Sequence, residues 1–259
     1  QAAVAKNIRM LTTGSRILEK SKHLRVQDAY ALRCVPQVHG AIRDALSYVR
    51  HTLDIELNSV TDNPIVFLDN GDVISGGNFH GEPMALAFDF LGIAVSEIAS
   101  ISERRLERMV NGALNNGLPE FLTKHGGLNS GFMICQYCAA SMVSENKVLA
   151  HPASVDSIPS SANQEDHVSM GTTAARKLRE IVENALSVLA FEFMAAAQGM
   201  DLREDVPSPV SQEVKELIRE KLPMLEEDRE MRQDVEKMNR LVRSGEIVSL
   251  VCGLVPEFS

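Results

Sequence analysis

Three polar clusters in the sequence combine residue types that could bind an anion or move a proton. In the first, Gln27, Tyr30 and Arg33 are spaced three residues apart. On a helix such residues are neighbours, a guanidinium binds a carboxylate through two parallel hydrogen bonds, and a phenol can donate or accept a proton. The cluster predicts a site for a carboxylate-bearing substrate; a surface arginine beside a capping glutamine is the structural alternative.

The second cluster is a glycine-rich loop, residues 75–83, which contains Phe79 and His80 and leads into the most apolar segment of the chain. Glycines allow close approach of the backbone, and loops held by rigid elements often carry function. The loop is not of the phosphate-binding type, because the required lysine and Ser/Thr do not follow the glycines. His80 could equally be a hydrogen-bonded structural residue.

The third cluster, residues 160–170, contains Glu165, Asp166 and His167 ahead of a predicted helix. These side chains could form an acid–base set, or an acidic cap at the start of the helix. Capping explains Asp166 but not the whole cluster. No metal site is predicted, because the single Cys-x-x-Cys, Cys135 and Cys138, has no second pair at zinc spacing and fits packed thiols.

Helical periodicity dominates the rest of the chain and must position these clusters. Apolar residues at three-to-four spacing predict four long helices: Pro36 to about Leu57, Pro83 to about Val110, Phe132 to about Ala150, and about Thr172 to Gln198, the last ended by Gly199. Asn70-Gly71, between residues 65–68 and 73–74, predicts one hairpin. The predicted fold is an all-α, long-helix bundle with one small β-hairpin.

Composition narrows the classes of protein and partner. The chain has 259 residues, a formal net charge of −9 and 44% hydrophobic residues, which fits a globular protein and disfavours a nucleic-acid surface. Four cysteines are too few for a disulfide scaffold, and with no visible targeting signal they suggest the cytoplasm. Because Gln1 is not an initiator residue, we expect a piece of a longer protein.

The segment Met84 to Ile101 is long enough to cross a bilayer, but Asp89, Ser96 and Glu97 within it would be costly in lipid. We therefore expect no membrane span, but a helix buried in protein on nearly every side, and a homo-oligomer that covers it. After Arg203 the texture changes to dense mixed charge. We expect two parts: a helical-bundle part over 1–203 and a solvated, charged helical tail over 204–259.

Five ordered stretches of the sequence carry a resemblance to a known family: residues 26–37, 56–64, 76–83, 102–105 and 160–170. With their spacing they cover nearly all of residues 1–203. The chain resembles the C-terminal half of the histidine-specific members of the aromatic amino-acid ammonia-lyases. The helical architecture is also similar to that of the fumarases, but their Gly-Ser-Ser-x-Met-Pro signature is absent.

The resemblance implies elimination of ammonia from L-histidine to give trans-urocanate, in a homotetramer, with an electrophilic methylidene-imidazolone group. Carried over position by position, Arg33 would bind the substrate carboxylate, and Tyr30 with Gln27 would line the site beside that group. Phe79 would pack at the group. Glu165 would face the imidazole or amine of the substrate and take part in proton transfer, so that Tyr30 and Glu165 are the catalytic candidates.

The family makes its electrophile from an internal Ala-Ser-Gly, which this chain does not contain. Three serines precede glycine, but none follows alanine: Ser75, Ser130 and Ser244. We expect the group to be formed upstream, no cofactor-binding residue in this chain, and no lyase activity of the chain alone. The alternatives are a phenylalanine or tyrosine ammonia-lyase or aminomutase piece, and a non-catalytic helical assembly piece.

Overall fold

A computed structural model describes residues 1–258. Over these residues the chain forms α-helices and one two-stranded sheet, with short 3₁₀ turns at Glu120–Leu122 and Ser161–Asn163. The helices are α1 Ala2–Thr12, α2 Arg16–Ser21, α3 Tyr30–Arg33, α4 Val35–Glu56, α5 Glu82–Val110, α6 Met133–Leu149, α7 Gly171–Asp201, α8 Pro209–Lys221, α9 Arg232–Ser244 and α10 Glu246–Leu254. The predicted all-α class is confirmed.

The four long helices predicted from apolar periodicity are α4, α5, α6 and α7, and their starts lie within one residue of the predicted ones. The predicted stop at Gly199 is wrong, because α7 continues to Asp201. A Cβ at Gly199 would lie 3.4 Å from Leu118 Cδ1. Gly199 thus lies inside the helix, where a Cβ would meet Leu118 at an ordinary contact distance.

The predicted hairpin is present but short. Strand β1 is Ile65–Val66 and strand β2 is Val73–Ile74, paired antiparallel with Ile65 opposite Ile74. Phe67 and Leu68, predicted as strand, lie in the turn, where Gly71 takes a positive φ of 77° and its N–H donates to the Phe67 carbonyl. The turn is therefore longer than the two-residue loop that Asn-Gly favours.

The chain divides into two compact units, and the division falls within α4, α5, α6 and α7. Unit 1 comprises residues 1–41, 97–145 and 183 onward, and unit 2 comprises residues 42–96 and 146–182. Each unit has buried apolar side chains of its own, among them Leu106 and Met238 in unit 1 and Ala85 and Ile181 in unit 2.

Residues 204–258 pack within unit 1, which makes the expectation of a fully solvated tail wrong. One face of each charged helix is apolar and buried: Ile218 on α8, Met238 and Leu241 on α9, Ile247 and Val251 on α10. Helices α8 and α10 line an apolar cavity of about 420 Å³ together with α1 and α7. Dense charge along the sequence concealed the 3.6-residue periodicity of this buried face. The division of the chain at residue 203 stays a prediction.

Helix α5 is the one described helix that is long and apolar enough to cross a membrane by length and composition. Within unit 2, its Asp89 accepts a hydrogen bond from the Ser154 N–H at 2.7 Å and pairs with the Lys177 ammonium at 3.3 Å. Burial raises the pKa of Asp89, but these two partners outweigh it and hold the pKa below its usual value. The acidic residue is thus stabilised by protein partners.

Within this single chain the same helix is not covered on every side, and the prediction that other copies cover it stays a prediction. Leu86, Phe90 and Ile93, spaced i, i+4 and i+7, are exposed along one face. Tyr48 of α4 meets Phe90 edge to face, with ring centroids 5.8 Å apart, and is itself exposed. Within this chain α5 therefore presents an uncovered apolar stripe.

Candidate active site

Tyr30 and Arg33 lie together on α3, a single turn of helix that directly precedes α4. The Arg33 guanidinium carbon is 4.7 Å from the centre of the Tyr30 ring, a cation–π contact. Tyr30 is 70% exposed and Arg33 is also exposed. The contact orients the guanidinium against the ring and leaves its N–H donors accessible to solvent, so that Arg33 can bind an anion.

Gln27 is not on the helix that carries Tyr30 and Arg33, so the predicted three-residue helical face is wrong at its first member. Ala29 caps α3 with an extended backbone, φ −62° and ψ 156°, and residues 26–29 lie outside the helix. Gln27 instead lines a cleft of about 240 Å³ with Lys22, Arg25 and Asp28. The spacing predicts a helix, but the chain enters α3 by a turn.

A buried ion pair lies next to α3 within unit 1. Arg105 of α5 pairs with Glu192 of α7, with side chains 16% and 18% exposed. Glu192 also accepts a 2.5 Å hydrogen bond from the buried Ser102 hydroxyl, and Arg105 makes a long, 3.5 Å contact to the Ala31 carbonyl of α3. The pair therefore supports the turn that bears Tyr30 and Arg33.

His39 of α4 lies in the field of this pair. Burial lowers the pKa of His39, the Arg105 charge lowers it further, and Glu192 opposes the shift. Its buried Nε2 atom has no hydrogen-bond partner. His39 is therefore held as a neutral imidazole beside α3.

Phe79 lies in unit 2, on the loop between β2 and α5, and is 54% exposed. The beginning of the loop is tied down by Asn63, whose Oδ1 accepts from the Ser75 hydroxyl at 3.1 Å and from the Gly76 N–H at 3.0 Å. The loop thus presents an exposed aromatic ring from an anchored backbone.

Glu165 lies in the segment of unit 2 that precedes α7, and its carboxylate is exposed. Hydrogen bonds from the Ser160 hydroxyl, at 2.5 Å, and from Ser161 lower the pKa of Glu165 below its usual value. The carboxylate is therefore ionised at neutral pH and can bind a cation, while the same shift makes it a weaker base than an ordinary glutamate. Three successive residues in this turn, Ser161 to Asn163, have positive φ, the kind of backbone strain that clusters at functional sites.

Asp166 does not cap α7, so that expectation is wrong. The helix begins at Gly171, five residues on, and the Gly171 N–H is met by the Ser169 hydroxyl at 3.3 Å. Of the Cys-x-x-Cys pair, Cys135 is buried, which raises the pKa of its thiol to about 12, and Cys138 is exposed. Among residues 1–258 no group of three His, Cys, Asp or Glu side chains is arranged to hold a metal ion.

The structure brings the predicted residues together in two groups. Tyr30 and Arg33 are in contact in unit 1, and the Phe79 loop meets the segment of Glu165 in unit 2, where His80 Nε2 lies 3.0 Å from the His167 carbonyl oxygen. Both groups consist of exposed side chains on anchored backbones.

A sequence profile of the aromatic amino acid lyase family matches residues 1–220 of the chain. The chain belongs to the aromatic amino acid lyase family. Among curated relatives of the chain, histidine ammonia-lyase from Alkaliphilus oremlandii is 59% identical over 252 residues, 97% of this chain and 50% of the relative. Histidine ammonia-lyase from Caldanaerobacter subterraneus is 59% identical over 95% of this chain and 49% of the relative.

Solved structures of the lyase family agree with the fold. Histidine ammonia-lyase from Trypanosoma cruzi is 46% identical, with a TM-score of 0.86 over 99% of this chain and 51% of that one. Tyrosine aminomutase from Streptomyces globisporus is 39% identical, with a TM-score of 0.89 over 96% of this chain and 51% of that one. The chain spans about half the length of the relatives it matches, which is consistent with the predicted C-terminal half.

Sequence reasoning missed the residues that hold the candidate site in place. Glu192 lies within the predicted helix 172–198 and Arg105 within the family stretch 102–105, and neither is among the predicted site residues. For Glu192 the available signal was a single charged residue in the apolar run 188–197, which requires a partner; Arg105 lies in the charged run 102–108 and carried no such signal. For His80 the glycine on either side of the Asn-Phe-His sequence was the available sign of a close backbone approach.

Proposed function

We propose that the protein to which this chain belongs eliminates ammonia from L-histidine to give trans-urocanate, the first step of histidine degradation, and that this chain supplies the C-terminal part of its site. The observation that carries the proposal is 59% identity to histidine ammonia-lyases over 97% of the chain. The cytoplasm is the proposed location.

Arg33 binds the α-carboxylate of the substrate, because a guanidinium presents two parallel donors to it. Tyr30 and Gln27 line the site and Phe79 packs against the prosthetic group. Glu165 faces the imidazole or amine of the substrate. Its lowered pKa keeps it ionised, so it binds a cationic imidazole or accepts a proton more readily than it donates one.

The residues of this chain could line the electrophilic group of the family, but they do not include the sequence from which that group is formed. No Ala-Ser-Gly occurs in residues 1–259, whereas Tyr30 and Phe79 are exposed aromatic side chains beside polar donors, suited to pack at a planar group held by other residues. When bound, methylidene-imidazolone supplies the electrophile that holds the leaving nitrogen. Within this chain, Arg33 binds the carboxylate of the substrate and Glu165 supplies a carboxylate that can take up a proton.

The protein functions as a homo-oligomer, a tetramer in the parent. Support comes from the uncovered apolar stripe on α5, since Leu86, Phe90 and Ile93 would gain burial against another copy.

Glu165 favours histidine over the alternative substrates, because a carboxylate pairs with an imidazole and not with an apolar ring. Structural similarity alone does not separate the two, since the tyrosine aminomutase scores as high as the histidine ammonia-lyase.

The test is urocanate absorbance after L-histidine is added to the purified chain, alone and mixed with a separately produced upstream half. We expect activity in the mixture only, and its loss with Arg33→Ala. Activity of the chain alone contradicts the account of the missing electrophile. Faster turnover of tyrosine or phenylalanine than of histidine by the complete protein refutes the substrate, and no turnover of any of the three favours the assembly alternative.

A further inference from the structure

His80 uses both of its ring nitrogens within unit 2. Its Nε2 lies 3.0 Å from the carbonyl oxygen of His167, and its Nδ1 lies 3.4 Å from the Glu82 N–H at the start of α5. A carbonyl can only accept and a backbone N–H can only donate, so Nε2 must carry the proton and Nδ1 must accept. The geometry therefore assigns a neutral imidazole of one tautomer.

The two segments that His80 joins also meet closely on either side of it. The His80 and His167 rings stack with centroids 5.7 Å apart and planes 30° apart. A Cβ at Gly81 would lie 3.1 Å from the Ser169 hydroxyl oxygen, and one at Gly171 would lie 3.4 Å from the Gly81 carbonyl oxygen. A side chain at Gly81 would therefore press on Ser169, and the backbone of the Phe79 loop passes close to that of the segment before α7.

The candidate site residues Phe79 and Glu165 lie next to the two histidines in the sequence. Phe79 is bonded to His80 along the chain, and Glu165 precedes His167 by two residues. The Glu165 segment is closed on itself by the Ser160 N–H, which donates to the Glu165 carbonyl at 3.0 Å. It is held beyond His167 by the Val168 N–H, which donates to the Ser157 hydroxyl at 2.8 Å. His167 and Glu165 therefore lie two residues apart in one hydrogen-bonded segment.

We propose that His80 is a positioning residue, which fixes the Phe79 loop against the Glu165 segment through its Nε2–H bond to the His167 carbonyl. The inference rests on the proposed function, in which Phe79 and Glu165 share one site. His80 does not transfer the substrate proton, because both of its nitrogens are committed to the backbone.

The bond can be tested on the chain itself by hydrogen exchange of the Glu165 and Val168 amides, the two in residues 165–169 that donate to a protein acceptor. His80→Ala removes the donor, and the net worth of one hydrogen bond predicts exchange that is about 3- to 10-fold faster. His80→Gln places an N–H donor at the Nε2 position and restores slow exchange. His80→Asn mimics Nδ1 only and does not. His51→Ala, an exposed histidine of α4, is the matched control and changes nothing in this segment.

The consequence for catalysis is measured with the same variants in the complete protein. We expect His80→Ala to lower kcat by about 3- to 10-fold with a smaller change in KM, because Arg33 still binds the carboxylate, and His80→Gln to recover it. Unchanged exchange in His80→Ala, or equal rescue by Asn and Gln, overturns the inference.

Altered exchange with unchanged kcat in an active complete protein likewise overturns the positioning role. A wild-type complete protein that does not turn over L-histidine refutes the proposed function instead. The exchange measurement then still decides whether His80 joins the two segments.

Discussion

Removal of the Glu192 carboxylate should destabilise unit 1 by more than the removal of an exposed charge on the same helix. The Glu192 carboxylate accepts from the Ser102 hydroxyl at 2.5 Å and from Arg105 Nη2 at 2.9 Å, as well as from Arg105 Nε. Ser102 is fully buried, and the Arg105 and Glu192 side chains are less than one-fifth exposed. Glu192→Ala leaves a buried guanidinium without a counter-charge.

Breaking a buried ion pair in this way costs about 3–5 kcal/mol, and the residual exposure of both side chains places the expected loss near 3 kcal/mol. The measurement is urea unfolding of the chain followed by circular dichroism, with the m-value checked for constancy. On the same helix, Glu183 forms an exposed pair with Arg243, with side chains 51% and 55% exposed. Glu183→Ala is the matched control and should cost less than about 1 kcal/mol.

The double variant Arg105→Met with Glu192→Leu removes both charges and should recover most of the stability lost in Glu192→Ala, because no unpaired charge remains. A loss in Glu192→Ala no larger than in Glu183→Ala, or a double variant less stable than either single one, would refute the buried-pair reasoning.

Three further outcomes are expected. Asp89 has a pKa below its usual value, so its stabilising contribution is present above about pH 4 and is lost as the pH falls through its folded pKa. The variant Asp89→Asn should lower the free energy of unfolding by about 2 kcal/mol at pH 7 and remove that acid dependence. Equal urea midpoints of variant and wild type at pH 7 would contradict this. Phe90→Glu puts a charge on the exposed stripe of α5 and should shift the complete protein to smaller species in light scattering, whereas Glu107→Gln, elsewhere on the helix, should not; an unchanged mass would show that the stripe is not the contact between copies. Arg33→Lys keeps the charge but loses the two-donor geometry, so KM for L-histidine in the complete protein should rise about tenfold, while an unchanged KM would remove Arg33 from carboxylate binding.

Protonation of His39 should also oppose folding. Its folded pKa is lowered, chiefly by burial, so its contribution is full above the unfolded value near 6.5 and is lost as the pH falls through the folded pKa. We expect the free energy of unfolding to decline below pH 6.5 in wild type and to decline less in His39→Gln. An identical slope in both proteins would contradict a neutral, buried His39.

The long helices could be predicted because each one is specified locally. Apolar residues at three-to-four spacing fix which face is buried, and Pro36 and Pro83 mark first turns. The candidate residues Arg33, Tyr30, Gln27, Phe79 and Glu165 came from a resemblance of motifs along the chain, and their roles stay predictions.

The wrong predictions arose where a turn or the packing of another segment, and not the local pattern of residue types, decides the structure. Gly199 is typical of a helix end, but α7 continues past it to Asp201. The spacing of Gln27 reads as helical, but the turn at Ala29 takes it off α3. In the tail, dense charge hid the few apolar residues that are buried, among them Ile218 of α8 and Ile247 of α10, which line a cavity with α1 and α7.

The sequence by itself determined the helical class, the hairpin and the polar clusters, because periodicity, turn residues and side-chain chemistry are local properties. Only the tertiary structure decided that Glu192 forms an ion pair with Arg105, 87 residues away in the sequence, and that His80 contacts the carbonyl oxygen of His167. A buried charge or a ring nitrogen requires a partner, but its own position in the chain does not say which one. That choice is made by packing, when the helices bring residues far apart in sequence within hydrogen-bond distance.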